Sequence, residues 1–237
     1  VPPYIHRKIA KTYRMKIIPR LHITAGISLA LGMFIYTATA AAAASAPSSC
    51  KGIFSAKARQ LEAGNMQAGW QLASPDGNLT IRAQAGELVL QNSDGKTAKL
   101  GVMAQPDLTE VLWSADSRQL AINTSDGGAV GTWEAKLFAV DAQGHPAAID
   151  LSDITQKISK KTLRCKPREA ANFAALAWVK QDLLLLAEVP PHSSCANMGQ
   201  ITGFRVALTS KKLMEVFSEK SLRANRQELL GCRFSKQ

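Results

Sequence analysis

The chain is poor in the residues from which reactive sites are built. Of its four histidines only His145 and His192 lie beyond residue 44, one between Gly144 and Pro146, the other after Pro190-Pro191. Both read as solvated turn or loop residues. No G-x-S-x-G and no H-E-x-x-H sequence occurs, so neither a nucleophile elbow nor a zincin helix is present. Gly95-Lys96-Thr97 has the ending of a phosphate-binding loop, but Leu90 stands five residues before Gly95, where glycine belongs. A hairpin turn is expected there instead. Asn92-Ser93-Asp94-Gly95 and Asn123-Thr-Ser-Asp126 offer oxygens without the ligand spacing of a calcium loop. The expectation is a chain with no catalytic residue, no metal and no cofactor.

Charge is missing in one place and one-sided in another. Residues 23–46 carry no charged side chain, and the basic residues Arg14, Lys16 and Arg20 precede them. An apolar core at Leu29-Ala-Leu-Gly-Met-Phe-Ile35 is followed by Ala38-Thr39-Ala40 and an alanine run. A positive flank, a short apolar segment and an A-x-A end make an export signal. Residues 15–44 are read as that signal, with cleavage after Ala40 or within Ala42-Ala43-Ala44. Residues 1–14 are read as an over-extended start ahead of Met15. The alternative is an uncleaved anchor, since about 20 apolar residues span a bilayer. Cations on the N-terminal side give the same orientation for both. A lipoprotein reading of Cys50 fails because Pro47-Ser48-Ser49 lacks the aliphatic lipobox residue. The expected location of residues 45–237 is periplasmic or secreted.

Removing the leader takes away six bases and no acid, leaving 23 bases against 18 acids. The exported part is therefore mildly basic, at +5, and an argument for nucleic acid from the whole-chain charge of +11 does not carry over. The remaining length suits one domain with a full core.

There are only four cysteines, Cys50, Cys165, Cys195 and Cys232, all beyond the leader. An even count in an oxidising compartment implies two disulfides, with three connectivities open. The pairing expected is Cys165 with Cys195, closing a loop of 30 residues, and Cys50 with Cys232, tying the ends. A metal set of Cys165, His192, Cys195 and Cys232 is the alternative use of these side chains.

What the chain does have is a repeat of strands. One unit reads Trp70-Gln-Leu-Ala-Ser-Pro-Asp-Gly77, then Asn78-Leu-Thr-Ile-Arg-Ala, Glu87-Leu-Val-Leu-Gln and Ala98-Lys-Leu-Gly-Val. A second runs from Val111-Leu-Trp-Ser-Ala-Asp-Ser117 through Gln119-Leu-Ala-Ile-Asn and Trp133-Glu-Ala-Lys-Leu-Phe-Ala-Val140 to Pro146-Ala-Ala-Ile. A third holds Ala175-Leu-Ala-Trp178, Leu183-Leu-Leu-Leu, Ile201-Thr-Gly-Phe-Arg-Val-Ala-Leu208 and Leu213-Met-Glu-Val-Phe217. Asp-Gly at 76–77, 94–95 and 126–127 supplies positive-φ residues at reversals. Alternation places Trp133, Ala135, Leu137 and Ala139 on one face. The fold class expected is all-β: a propeller-like array of about three to four four-stranded antiparallel units, a β-sandwich being the alternative.

Ser74-Pro75-Asp76-Gly77 and Trp113-Ser114-Ala115-Asp116-Ser117, 40 residues apart, resemble the Trp-Ser-Pro-Asp-Gly turn of TolB-like and WD40-like propeller repeats. The resemblance covers residues 70–217 and implies a blade fold with protein recognition on one rim. The third unit has Val179-Lys-Gln-Asp in place of the turn, and the Gly-His and Trp-Asp signatures of WD40 units are missing. Closed propellers need about four blades, so the ends around Lys51-Gly-Ile-Phe-Ser and Leu229-Leu-Gly-Cys-Arg-Phe234 are expected to supply a partial fourth.

Two helical insertions interrupt the strands. Ser152 is expected to cap a helix through Lys161 with Ile154 and Ile158 on one face, and residues 218–230 read as a second helix. The first leads into six cations, Lys157, Lys160, Lys161, Arg164, Lys166 and Arg168, with Glu169 just beyond. Such a run is either a solvated face or a patch for an anionic partner. No aromatics interleave it, which argues against nucleic acid. The function expected is an exported, non-catalytic interaction protein whose partner is an envelope protein or an anionic envelope component. The alternatives are a hydrolase assembled from scattered Asp, Ser and His145 or His192, and an envelope protein held by its leader.

Overall fold

The computed structural model describes residues 52–66, 69–128, 132–165 and 169–234. The leader, Cys50, Lys166 and Arg168 lie outside the described residues.

A two-residue strand β1 (Arg59–Gln60) and one helical turn α1 (Ala63–Met66) open the domain. Sheet I is the meander β2 (Gln71–Ala73), β3 (Leu79–Gln84), β4 (Glu87–Asn92) and β5 (Thr97–Met103). Sheet II is β6 (Thr109–Trp113), β7 (Gln119–Ser125), β8 (Trp133–Val140) and β9 (Pro146–Ile149), with β1 added beside β6. Helix α2 (Ser152–Thr162) follows. Sheet III is β10 (Asn172–Val179), β11 (Asp182–Glu188), β12 (Ile201–Ala207) and β13 (Lys212–Ser218), and helix α3 (Glu219–Asn225) comes after it. The molecule is mostly β, every strand pair is antiparallel, and the three sheets are the three sequence units.

The repeat extends to individual hydrogen bonds. In sheet I the Ser74 hydroxyl donates to Asp76 Oδ1 at 2.6 Å and accepts from Leu79 N at 3.0 Å. In sheet II the Ser114 hydroxyl donates to Asp116 Oδ1 at 2.7 Å and accepts from Gln119 N at 2.8 Å. Both turns need a left-handed residue, Gly77 at φ +75° and Ser117 at φ +60°. Glycine takes that conformation freely and serine at a cost. Ser117 has a use for its side chain: its Oγ accepts from Asp76 N at 3.1 Å and joins the two turns. Sheet III turns through Lys180 at φ +57° with no such serine.

The sheets stack through apolar faces. Ile81, Leu88, Leu90 and Leu100 of sheet I meet Val111, Leu120, Ile122, Phe138 and Val140 of sheet II. On its other face sheet II sets Leu112, Ala121 and Leu137 against Phe173, Ala175, Leu183, Leu185, Phe204 and Val206 of sheet III, with Ile154 and Ile158 of α2 in the same core. The far face of sheet III packs Leu176, Leu184, Leu186 and Phe217 under Leu222 of α3, with Phe54, Leu230 and Phe234 from the two ends. Sheet II is thus covered on both sides, which overrides simple alternation in β8. Leu137 and Phe138 are both buried, in different cores, and Ala139 is exposed.

The ends do not build a fourth sheet among the described residues. They meet in a single antiparallel bridge, Ser55 to Leu230, supported by Gly231 N to Phe54 O at 2.7 Å and Cys232 N to Gly52 O at 2.9 Å. A Cβ on Gly231 would stand 2.5 Å from the carbonyl oxygens of Gly52 and Ile53, so only glycine permits this approach. The second helix is also shorter than expected. Ser218 caps it by accepting from Ser221 N at 3.2 Å, and after Asn225 the chain tightens into a 3-10 turn over Gln227–Leu229.

Candidate functional site

Helix α2 carries the cations. Its buried stripe, Ile154, Ile158 and Thr162, recurs every four residues, and the Thr162 hydroxyl donates to Ile158 O at 2.8 Å. Ser152 is not its cap. It is the first helical residue, and Asp150 accepts from its N–H at 2.8 Å and its hydroxyl at 3.0 Å. Those bonds hold the Asp150 carboxyl below its ordinary pKa. At the other end the Asn197 amide donates to Thr162 O at 2.9 Å, and Ala196 N donates to Arg164 O at 3.2 Å. The Cys165–Cys195 disulfide forms as expected and fastens the same loop to the end of the helix.

On this fixed platform Lys157, Lys160, Lys161 and Arg164 are all exposed, and none makes an ion pair among the described residues. Lys157, Lys160 and Lys161 are three and four residues apart and share a helix face. Lys160 and Lys161 also complement the negative end of the helix dipole. Beside them lies a groove of about 660 Å³ lined by Trp133, Phe173, Leu163 and Ala171, with Lys160 and Cys165 at its edge.

The other candidates resolve differently. Cys165 and Cys195 are bonded to each other and Cys232 is also in a disulfide, so the metal set with His192 has lost three of its thiolates. Cys50, expected to partner Cys232, lies outside the described residues. Glu169 lies beside the bridge and accepts from Ser194 N at 3.0 Å. His192 is exposed. His145 Nδ1 is 2.9 Å from Asp141 Oδ2, and Asp141 Oδ1 also accepts from Gln143 N and His145 N. These bonds lower the Asp141 pKa and close one exposed turn. The pair borders a cleft of about 440 Å³ with Asp76, Arg118 and Ser117, but the Ser117 hydroxyl is engaged by Asp76 N. No bond from a serine to His145 occurs among the described residues.

Sequence reasoning missed the polar centre of the fold. Glu110 is fully buried and accepts from Ile53 N at 2.6 Å, Phe54 N at 3.2 Å, Ser55 N at 3.1 Å and Asn123 Nδ2 at 2.6 Å. Burial pushes its pKa up, and the four donors oppose that push. Asn123 also bonds both Ala175 N and Ala175 O, at 2.7 and 2.9 Å, satisfying the edge of β10. A second buried carboxylate, Glu188, takes Asn172 Nδ2 and Arg233 Nε, each at 2.8 Å. Glu110 stands opposite Asn123, and Glu188 opposite Asn172, in the first hairpins of sheets II and III. The signal available in sequence was an acid at the end of each apolar run. Their bonds to residues 53–55 and to Arg233 make both carboxylates hold the ends.

Against known proteins the chain matches no family model, no curated protein and no solved structure.

Proposed function

We propose that residues 45–237 form an exported, non-catalytic binding module of propeller-like units, and that its α2 cations capture an anionic component of the cell envelope. The observation that carries this reading is the exposed, unpaired group Lys157, Lys160, Lys161 and Arg164 on a helix clamped at both ends. Three successive four-stranded meanders, the first two with matching Ser-x-Asp turns, support the blade-like reading and its likeness to TolB-like and WD40-like repeats. The disulfides fit an oxidising compartment, and the basic flank before the uncharged residues 23–46 fits export. The turn-bound state of His145 supports binding over hydrolysis.

The test is co-sedimentation of the leaderless domain with phosphatidylglycerol vesicles and with neutral phosphatidylcholine vesicles across a salt series. Anionic vesicles are expected to retain it at low salt and release it as the Debye length shrinks below about 8 Å. K160E/K161E is expected to abolish retention. Equal retention on both vesicles, or by the charge-reversed variant, refutes the patch. N-terminal sequencing of the mature chain checks the compartment, a start near Ala41 or Ser45 being expected.

A further inference from the structure

We infer that the ends of β2, β6 and β10, one from each sheet, form a second binding site, a trough for an extended acidic peptide segment bearing apolar side chains. This does not rest on the α2 reading. Two hollows, of about 520 and 480 Å³, adjoin there and share Lys57, Leu112 and Trp113. One extends over Leu72 of sheet I, the other over Trp178 of sheet III. The trough therefore crosses all three sheets.

Two indoles form its floor. Trp113 ends β6 ahead of the Ser114 turn, and Trp178 occupies the corresponding place in β10. Both are half-buried. The Trp178 ring is held by its N–H donating to Leu112 O at 3.2 Å. The Trp113 indole N–H is turned inward, buried and without a partner among the described residues, so the exposed part of the ring is apolar. Rigid, amphipathic rings of this kind anchor peptide side chains at little entropic cost.

Charge then selects the occupant. Lys57, Arg59 and Lys180 ring the hollows, are exposed and make no ion pair among the described residues. The one acid in the lining, Asp116, is taken up by its own turn through the Ser114 hydroxyl and Arg118 N. The rim is thus cationic over an apolar floor. Only Asp116 and Gln181 offer polar side chains to the larger hollow besides the lysines and indoles. That is too few to bind a polysaccharide through its hydroxyls, which favours a peptide. The occupant is not this chain's own leader, because residues 1–51 hold no acid.

The test is fluorescence anisotropy of a labelled octapeptide of alternating Asp and Leu, titrated with the leaderless domain. Saturable binding is expected. K57E/K180E is expected to weaken it at least tenfold, with an unchanged circular-dichroism melt showing that the domain is folded. K160E/K161E is expected to change it less than twofold, which separates this trough from the α2 patch. An octapeptide with Ser in place of Leu is expected to bind at least tenfold more weakly. Trp178→Phe, which keeps an aromatic ring but loses the bond to Leu112 O, is expected to alter the emission change on binding. Unchanged affinity in K57E/K180E, equal binding of the Ser peptide, or stronger displacement by polygalacturonate than by the peptide itself at equal charge would overturn the proposal.

Discussion

The two outer faces of the stack end in opposite ways. Beyond sheet I the face shows Thr80, Arg82, Gln84, Gln91 and Lys99, and Val89 is flanked in register by Arg82 and Lys99. Water and long polar side chains finish it. Beyond sheet III the face is apolar and is finished by the chain's own ends. Phe54 lies 4.9 Å from Trp133 and 5.6 Å from Phe234, under α3. Repeat arrays need polar outer surfaces or caps. This molecule uses one of each, and its cap is pinned by buried carboxylates rather than by a further sheet.

Breaking the cap should cost far more than altering the polar face. Arg233→Ala leaves Glu188 buried without its cation, Glu188 being 4 % exposed in the pair. Loss of one partner of a buried pair costs about 3–5 kcal/mol. The expected result is a urea midpoint far below wild type, and a shift comparable to a surface variant would mean that the ends do not cap the stack.

Titration sharpens the same contrast. The Asp76 carboxyl, beside sheet I, is pulled down to about 2 by the Ser74 hydroxyl and the Asn78 N–H. Its contribution is present above its ordinary value of 3.8 and is lost as pH falls through 2. Glu110, under the cap, is shifted the other way. Its folded form holds the proton more tightly, so its contribution is fullest below 4.5 and declines as pH rises through the folded value. Melting temperatures between pH 2 and 7 should therefore show Asp76→Asn flattening the acid limb and Glu110→Gln flattening the opposite slope. Identical pH profiles for the two variants would defeat this division.

The smallest effect belongs to the polar face itself. Arg82→Ala is expected within about 0.5 kcal/mol of wild type, as for most surface changes. A larger loss in the urea midpoint would show that sheet I is covered in the native molecule.

Local features of the fold were legible in the sequence. The paired turns at Ser74 and Ser114, the three strand units, both helices and the Cys165–Cys195 bridge depend on residues close in the chain or on strong patterns. The cations of α2 were legible as a run, and the structure adds their common face and fixed base. Features set by distant partners were not. Alternation in β8 reads one buried face, whereas Leu137 and Phe138 enter separate cores because sheet II is covered twice. Glu110 and Glu188 owe their burial and partners to residues 53–55 and Arg233, which lie far from them in the chain. The tryptophan trough is invisible in sequence because Lys57, Trp113 and Trp178 are brought together only by the stacking of sheets.

The meeting of Gly52 with Gly231 has a consequence for the order of events in folding. Gly231 and the guanidinium of Arg233 stand far along the chain from Gly52 and Glu188, so the closing clasp is made of sequence-distant partners. Until they arrive, the far wall of sheet III stands bare and Glu188 lacks its counter-ion. Such sequence-distant contacts form slowly. The three sheets can therefore assemble from their own hairpins first, and the stack locks only when this clasp closes.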